Sequence, residues 1–434
     1  MKKHLGSSPT ADPERVVLIA VHLADETARE VQCSLEEMER LIETLGGVVV
    51  GTVIQKRQRP DPAMYIGKGK AAEVSRLMIE TGANLVAFDG ELTGSQQRNL
   101  EKAVNGRVID RTGVILDIFS QHARTKEAKN QVELASLEYL ITHLTRRWTH
   151  LERQKGGIGL KGVGEKQIEL DRRMIRQRIS KIKEELEHTS RDRAIQRVNR
   201  GDKFLRVAIV GYTNAGKSTL MNRLTLSEVY VDDRLFATLD STVRLIDPKT
   251  RPPILLSDTV GFIEKLPHGL VASFRSTLQE VLEADLLLHV VDLSADTYRN
   301  QIDVTNEVLT EIGAGDKPAL LVFNKADLVK EFFLPKLLER SYIDSVVVSS
   351  FRPDDMVRLR KVIFEYFERD MVEMELVVPY QDTWLQSQIH EFSKILKKEY
   401  LEDGAHFHIR LMRSAANWLT TQAEQRRGEG VSKA

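Results

Sequence analysis

The stretch GYTNAGKS at positions 211–218 constrains the fold more than any other part of this 434-residue chain. It matches the pattern G-x-x-x-x-G-K-[ST], follows the apolar run FLRVAIV and precedes TLMNRL, which can form a helix. In this strand–loop–helix context, backbone N–H groups and the positive end of the helix converge on phosphate oxygens. The sequence therefore predicts a phosphate-binding loop in a doubly wound, largely parallel α/β domain.

The end of this motif assigns roles to two side chains. We expect Lys217 to reach the β- and γ-phosphates and the Ser218 hydroxyl to bind Mg²⁺. The other loop residues predicted to contact the nucleotide are Gly211, Tyr212, Thr213, Asn214, Ala215, Gly216 and Thr219.

A second motif, DTVGFI at 258–263, closes the strand-like run PPILLS. We expect Asp258 to hold Mg²⁺ through a water molecule and the Gly261 amide to sense the γ-phosphate, with Thr259 and Val260 beside the nucleotide. Many GTPases place a glutamine after this glycine to orient the attacking water, whereas this chain has Phe262. The phenylalanine predicts slow unaided hydrolysis and stimulation by a partner. It can also simply pack beneath this segment.

The third motif, NKAD at 324–327, follows the apolar run LLVF. The Asp327 carboxylate can accept hydrogen bonds from guanine N1–H and the exocyclic amine, and adenine offers neither donor in that place. We expect Asn324 to fasten neighbouring loops, Lys325 to cover one face of the base, and Ala326 to line the site. Three motifs in this order predict binding of GTP and GDP.

The pattern of apolar runs predicts four domains. Strands are expected at 16–23, 48–55, 84–90, 204–210, 253–258, 285–292, 318–323 and 345–349, with helices at 35–46 and 71–80. The predicted domains are an N-terminal α/β domain (1–125), a helical hairpin (126–200), a GTPase domain (201–372) and a small α+β module (373–434).

Two amphipathic runs predict the hairpin. Apolar residues recur every three or four positions at Leu134, Leu137, Ile141, Leu144, Trp148 and Leu151, and again at Ile175, Ile179, Ile182 and Leu186. Between them lies GGIGLKGVGEKQ (156–167), whose glycines disfavour a helix. The spacing is typical of an antiparallel coiled coil with a glycine-rich tip.

Charge is distributed unevenly along the chain. Lys+Arg and Asp+Glu balance at 63 each over the whole sequence, but residues 145–200 contain 16 basic and 8 acidic side chains. Such a patch can neutralise RNA phosphates, and Trp148 and His150 can stack on unpaired bases. The alternative for the basic patch is a solvated face of the coiled coil. The alternative for Trp148 is packing in the apolar seam between the two helices.

Composition excludes several classes of protein. The single cysteine, Cys33, allows neither an intrachain disulfide nor a cysteine zinc site. We identify no secretory signal and no apolar run of the roughly 18 residues needed to span a bilayer. These features favour a cytoplasmic protein without stable membrane insertion, and we expect a monomer.

Beyond these motifs, the chain resembles the HflX family of ribosome-associated GTPases. The stretches that carry the resemblance are YIGKGK (65–70), VIDRTGVILDIF (108–119), QVELASLEYL (131–140), RRWTHLERQKGGIG (146–159), GYTNAGKSTLMN (211–222), LFATLD (235–240), DTVGFI (258–263) and LPHGLVASFRSTLQE (266–280). The resemblance implies binding to the large ribosomal subunit and its rRNA, ribosome-stimulated hydrolysis, and splitting or rescue of stalled ribosomes under stress.

The resemblance also implies further site residues. FATLD would hold the first switch, with Thr238 as a Mg²⁺ ligand and a catalytic residue alongside Lys217 and Gly261. Its nucleotide-contacting residues would be Phe236, Ala237, Thr238, Leu239 and Asp240, and the last guanine loop would be Ser349, Ser350 and Phe351. An asparagine at position 214 can hold a potassium ion between phosphates in similar GTPases; the alternative is a hydrogen bond that shapes the loop.

The chain departs from the family pattern at several positions. Val163 and Lys166 replace a proline and a threonine at the tip, Ser241 replaces a proline after the first switch, and Ser350 replaces an alanine. Two other functions stay open from sequence: a regulatory protein that hydrolyses little GTP, and an RNA-remodelling protein that uses ATP through its N-terminal domain. For the second, YIGKGK is either a phosphate-binding turn or a glycine-rich strand–helix connection.

Overall fold

The computed structural model describes residues 13–143, 163–200, 204–225, 235–236, 242–247, 250–265, 278–331 and 333–431. The chain divides into two compact units. The first comprises 1–191, 232–240 and 263–277, and the second comprises 192–231, 241–262 and 278–434. The four predicted domain boundaries stay predictions.

The first unit contains a four-stranded parallel sheet in the order β2-β1-β3-β4. Its strands are β1 (Arg15–His22), β2 (Val48–Lys56), β3 (Leu85–Phe88) and β4 (Arg107–Asp110). Its helices are α1 (Ala28–Thr44), α2 (Lys68–Thr81), α3 (Gly94–Val104), α4 (Arg111–His122) and α5 (Lys126–His143), and α6 (Val163–Arg200) begins here. Apolar side chains of α2 and α3 form one core with the sheet, and α1 and α4 also contact the strands.

Helices α5 and α6 contact each other through charged side chains. Arg178 of α6 donates to both carboxylate oxygens of Glu133 at 2.7 Å, and Lys183 lies 2.8 Å from Glu138. Of the predicted seam residues that the structure describes, Leu134 and Ile182 are buried, whereas the others are half-buried: Leu137, Ile141, Ile175, Ile179 and Leu186. Because α6 begins at Val163, the last five residues of the predicted break are helical, and the glycine-poor sequence after 162 explains this. The tip itself lies outside the described residues, so the coiled-coil hairpin stays a prediction.

The second unit contains a six-stranded sheet in the order β10-β9-β8-β5-β7-β6. Its strands are β5 (Leu205–Gly211), β6 (Thr242–Leu245), β7 (Ile254–Asp258), β8 (Leu286–Asp292), β9 (Ala319–Asn324) and β10 (Ser345–Val347). All neighbouring strands are parallel except β6, which pairs antiparallel with β7. This arrangement confirms the predicted doubly wound sheet.

Helices cover both faces of this sheet. They are α7 (Lys217–Thr225), α8 (Gln279–Glu283), α9 (Tyr298–Glu311), α10 (Leu334–Ser341) and α11 (Pro353–Glu368). The buried side chains of α7 and α11 form one core with β5, β7 and β8, and those of α9 and α10 pack with the other face. Strand β5 is therefore central, and the loop that follows it leaves from the carboxyl edge of the sheet.

The C-terminal residues form a separate three-stranded antiparallel sheet in the order β11-β13-β12. Its elements are β11 (Met371–Val378), α12 (Thr383–Phe392), β12 (Lys394–Leu401), β13 (Gly404–Met412) and α13 (Arg413–Val431). Helices α12 and α13 pack their apolar side chains on this sheet. The α+β character of this region is as predicted, and its last helix continues as far as Val431.

Candidate functional site

Gly211 ends β5 and fixes the start of the phosphate-binding loop. Its φ of 142° is one that residues with a side chain rarely adopt. A Cβ atom added there would lie 2.1 Å from the carbonyl oxygen of Val290 in the neighbouring strand β8. The chain can therefore turn away from the sheet at this point only with glycine.

Gly216 imposes a second backbone constraint on the phosphate-binding loop. This residue has a φ of 90°, and an added Cβ would lie 2.3 Å from Nδ2 of Asn324. Asn214, within the same loop, also has a positive φ of 60° and is exposed. The close packing at Gly216 joins the phosphate-binding loop to the segment that carries NKAD.

Lys217 is the first residue of α7, and its side chain folds back along the loop. Its Nζ donates to the carbonyl oxygens of Tyr212 at 2.7 Å and Gly211 at 3.1 Å. Burial lowers the pKa of Lys217 to about 8, although the nearby carboxylate of Asp258 opposes this shift. The ammonium group thus lies in a poorly solvated place where a phosphate would be a strong partner.

Two oxygen donors meet at the predicted magnesium site. The Ser218 hydroxyl donates to Oδ2 of Asp258 at 2.7 Å, and Asp258 is 2% exposed at the end of β7. A hydroxyl and a carboxylate are ligands that suit Mg²⁺, so these residues fit the ion. The other predicted ligand, Thr238, lies outside the described residues, as do Ala237, Leu239 and Asp240.

Gly261 lies directly against the phosphate-binding loop. A Cβ added there would lie 2.9 Å from Nζ of Lys217 and 2.9 Å from Cγ2 of Thr213. The preceding Thr259 is fully buried and donates its hydroxyl to the Ile209 carbonyl at 2.6 Å. Val260 is also buried. The lack of a side chain at Gly261 and the hydrogen bond from Thr259 therefore keep the DTVG segment close to the phosphate-binding loop.

Phe262 pairs with the phosphate-binding loop through its backbone. Its N–H donates to the Gly211 carbonyl at 3.1 Å, and its carbonyl accepts from the Thr213 N–H at 2.7 Å. Its side chain is 2% exposed. The Phe262 side chain is therefore packed beneath this segment. A buried phenyl ring offers no hydrogen bond to a water molecule.

Asn324 connects three segments of the predicted guanine site. Its Nδ2 donates to the Ala215 carbonyl at 2.9 Å, and its Oδ1 accepts from the Ser350 hydroxyl at 2.8 Å and the Ser350 N–H at 3.1 Å. The side chain is 2% exposed. The structure thus brings the phosphate-binding loop, NKAD and the Ser349–Ser350 loop together, as the sequence predicts for a residue that fastens loops.

The remaining residues of the guanine site lie around this connection. Oδ1 of Asp327 accepts from the Ser349 hydroxyl at 2.5 Å, and Ala326 N–H donates to the Val348 carbonyl at 3.2 Å. Phe351 is exposed, which leaves its ring accessible to solvent. The residue roles themselves stay predictions, because they concern contacts with a nucleotide.

Sequence reasoning missed two charged residues that support this region. Asp292, at the end of β8, holds Nζ of Lys325 at 2.6 Å, and Asp355 accepts from the Ser349 N–H at 2.9 Å. Asp292 could have been found, because carboxyl ends of parallel strands collect functional residues. His289, buried in β8 with its pKa lowered to about 4 by desolvation and by Lys217, gave no signal within the run LLLHVV.

Phe236 belongs to the first unit. Its ring is buried and meets Phe119 of α4 edge-on, with ring centroids 4.7 Å apart. Its predicted contact with the nucleotide stays a prediction.

Family models match most of the chain. They describe a GTP-binding GTPase N-terminal region at residues 32–120, a GTP-binding GTPase middle region at 122–200 and a 50S ribosome-binding GTPase at 206–325. The GTPase HflX of Gluconacetobacter diazotrophicus is 43% identical over 93% of this chain and 96% of its own length.

The chain belongs to the HflX family of GTPases. HflX of Escherichia coli K12 is 42% identical over 93% of this chain and 95% of its own, and that of Flavobacterium psychrophilum is 49% identical over 74% and 77%. A crystal structure of SsGBP in complex with GDP aligns with 81% of this chain and 98% of its own, at 25% identity and a TM-score of 0.47.

Membership of the HflX family confirms the resemblance seen in the sequence motifs. It also establishes that this protein binds guanine nucleotides and hydrolyses GTP. Among the helices in the described part of the chain, none is both long and apolar enough to cross a bilayer.

Proposed function

We propose that this HflX-family protein is a monomeric, cytoplasmic GTPase that binds the large ribosomal subunit and its rRNA, and that this contact stimulates hydrolysis of GTP. The observation that carries the proposal is the burial of Phe262 at the position where other GTPases orient the attacking water. A site without that group is expected to hydrolyse GTP slowly alone. A partner that completes the site raises the rate.

Within the site, Lys217 neutralises the β- and γ-phosphates and the Gly261 amide binds the γ-phosphate. Ser218 and Thr238 would hold Mg²⁺ directly, and Asp258 would hold it through a water molecule. The 2.7 Å contact between Ser218 and Asp258 supports this set. When bound, the ion neutralises charge on the phosphate oxygens.

Asn214 is the proposed potassium ligand of the same site. Its positive φ and its exposure leave the side chain amide accessible from the loop. A monovalent cation held there would supply positive charge beside the phosphates, as an arginine does in other GTPases. Hydrolysis should therefore be faster in potassium than in matched sodium buffer, and equal rates would rule the potassium site out.

Guanine is recognised by the second set of loops. Asp327 accepts from the base, Lys325 covers one face of it, and Ser349, Ser350 and Phe351 close the site. The 2.5 Å bond from Ser349 to Asp327 leaves the second carboxylate oxygen of Asp327 for guanine and supports this orientation.

The helical arm, residues 126–200, is the proposed rRNA-binding element. Arg178 and Lys183 are engaged by Glu133 and Glu138 of α5. Arg173 and Arg176 are exposed and form no ion pair with any side chain in the described part of the chain. These two arginines, together with the equally exposed Lys181, are therefore cations of α6 available to neutralise phosphates.

The family context extends this proposal to stalled ribosomes. The γ-phosphate orders the switch segments, and the GTP form is the one that fits the ribosome. Hydrolysis after contact yields GDP and releases the protein. Splitting or rescue of stalled ribosomes under stress is the activity we expect this cycle to serve.

The proposal is tested by measuring GTP hydrolysis with and without purified large ribosomal subunits. We expect stimulation toward the roughly 10³–10⁵-fold gained when a small GTPase receives a missing group in trans. Small subunits serve as the control for nonspecific RNA effects, and Lys217→Ala serves as the control for contaminating hydrolases. A fast rate that large subunits do not change would contradict the proposal.

A further inference from the structure

Three stretches that the nucleotide site does not use meet in the first unit. They are the loop before TGSQ (93–96), the start of VIDRTG (108–113) and the end of QVELASLEYL (131–140). Leu92 lies in the first stretch, Asp110 in the second and Tyr139 in the third. His143, one turn after Tyr139 and the last described residue of α5, completes the cluster.

Asp110 is the centre of this cluster. It lies at the end of β4, caps α4 and is 1% exposed. Its Oδ1 accepts from the Gly113 N–H at 2.9 Å and from the Tyr139 hydroxyl at 2.9 Å, and its Oδ2 accepts from the Leu92 N–H at 3.1 Å. Burial raises the pKa of Asp110, whereas these three donors oppose that shift. The carboxylate thus binds its own helix, a neighbouring loop and α5 together.

His143 makes a second connection to the same loop. Its Nε2 lies 2.8 Å from the Leu92 carbonyl oxygen, and its Nδ1 lies 2.8 Å from the Tyr139 carbonyl oxygen. Carbonyl oxygens only accept, so both ring nitrogens must carry hydrogen for both contacts to be hydrogen bonds. Nδ1 also lies 2.9 Å from the Thr142 hydroxyl, which can donate to it instead, so the bond from Nε2 to the Leu92 carbonyl is the one that connects α5 to the loop.

The rings of Tyr139 and His143 are stacked, with centroids 4.0 Å apart and planes inclined by 29°. Each side chain therefore restricts the rotamer of the other. Both also bond to the loop–β4 region, since Tyr139 reaches Asp110 and His143 reaches Leu92. The end of α5 is consequently held at two points about one helical turn apart, which fixes both its position and its direction.

We propose that Asp110, Tyr139 and His143 form a latch that sets the direction in which the helical arm leaves the N-terminal sheet. The chain continues from His143 directly into residues 144–162, which hold the predicted tip. A small rotation at the base of a helix is amplified along its length, so residues at the latch act as positioning residues for a distant contact. The relevance of this direction to the ribosome rests on the proposed function.

The latch is tested in the full-length protein by distance measurements between spin labels. The labels replace exposed Glu39 on α1 and exposed Glu184 on α6, in a Cys33→Ser background. We expect a narrow distance distribution for the parent protein and a broader or shifted one for Tyr139→Phe and for Tyr139→Phe combined with His143→Gln. Unchanged distributions in both variants would overturn the latch.

Tyr380→Phe provides a matched control. This substitution also removes one hydroxyl that donates to an acceptor, the Leu401 carbonyl at 2.6 Å, but in the C-terminal module. It should leave the label distances unchanged. Tyr139→Phe should also speed amide exchange at Leu92, because the carboxylate that accepts from this N–H loses a restraining partner. Basal GTP hydrolysis should be unaffected in Tyr139→Phe and in Tyr380→Phe.

Binding to large subunits separates this inference from the proposed function. Tyr139→Phe should weaken that binding by up to about tenfold, the factor expected when one preorganising hydrogen bond is removed. Broader distances with weaker binding support both claims. Broader distances with unchanged binding support the latch and count against a ribosomal contact by the arm.

Discussion

At the scale of single residues, we expect a small change at Gly211 to have a large structural effect. Gly211→Ala should strongly destabilise the second unit, because the added methyl group meets the Val290 carbonyl at 2.1 Å. Gly313→Ala is the matched control: its φ is also positive, at 84°, but no atom lies within 4 Å, so the loss of stability should be about 1 kcal/mol. Thermal unfolding of both variants measures the difference, and equal losses would contradict the steric explanation.

We expect Lys217 to give nucleotide binding a specific pH dependence. Its pKa of about 8 in the nucleotide-free protein should rise when phosphates surround it, so binding takes up protons above about pH 8. Affinity for GTP should therefore fall as the pH rises past 8 and be nearly constant below 7. Calorimetry at pH 8.5 in buffers of different ionisation enthalpy counts the protons. Lys217→Arg, which stays charged, should lose this dependence, and its persistence in that variant would assign it elsewhere.

We expect Asp327 to determine the preferred base. Asp327→Asn should shift preference from guanine toward xanthine nucleotides, because the amide donates where the carboxylate accepted; discrimination of this kind can reach about 10⁴-fold. The amide oxygen can still accept from Ser349, so the loop should stay folded. Competition between GTP and XTP measures the effect, with Asp316→Asn on an exposed turn as the control. Unchanged guanine selectivity would reject the assignment.

The sequence predicted the contacts of some site residues and left those of others undecided. The bonds from Asn324 to Ala215 and Ser350 agree with the expectation that it fastens loops, because motif order already implied that these loops meet. The burial of Phe262 could not be decided from sequence. A phenylalanine there is compatible with packing and with exposure, and the 2% exposure of Phe262 in the structure separates them.

At the scale of elements, the ion pairs between α5 and α6 divide the basic side chains of α6 into two groups. Arg173→Ala with Arg176→Ala should weaken binding to rRNA and reduce the salt slope by about two, one for each phosphate that is no longer neutralised. Arg178→Ala with Lys183→Ala should reduce it less, because these cations already pair with Glu133 and Glu138. Fluorescence anisotropy across a salt series measures both slopes. Equal reductions would show that the ion pairs open on binding.

Elements with a buried apolar run were predicted well, and elements without one were missed. Strands β1, β5, β8 and β9 lie within a residue or two of expectation, because each is buried along most of its length. Edge strand β12 is rich in lysine and mostly exposed, a common way to protect a sheet edge, so it has no apolar signature. Helix α3 begins with a capping box at Thr93 and Gln96, a signal that the polar sequence TGSQ did contain.

At the scale of the whole molecule, the net charge of zero conceals an uneven distribution of charge along the chain. The chain is neutral overall, yet residues 145–200 contain 16 basic and only 8 acidic side chains. Sequence could predict this asymmetry because charge is additive along the chain. It could not predict which cations are engaged by neighbouring carboxylates, since that depends on how two helices pack.

This asymmetry predicts how salt should affect the two rates of GTP hydrolysis. The basal rate involves only the nucleotide site and should change little between about 50 and 200 mM salt. The rate stimulated by large subunits, measured below saturation, should fall steeply over that range, since each neutralised phosphate adds about 0.9 to the logarithmic slope. Saturating the protein with subunits should restore the stimulated rate, because salt weakens binding rather than chemistry. A stimulated rate that fell equally at saturation would place the salt effect in the nucleotide site.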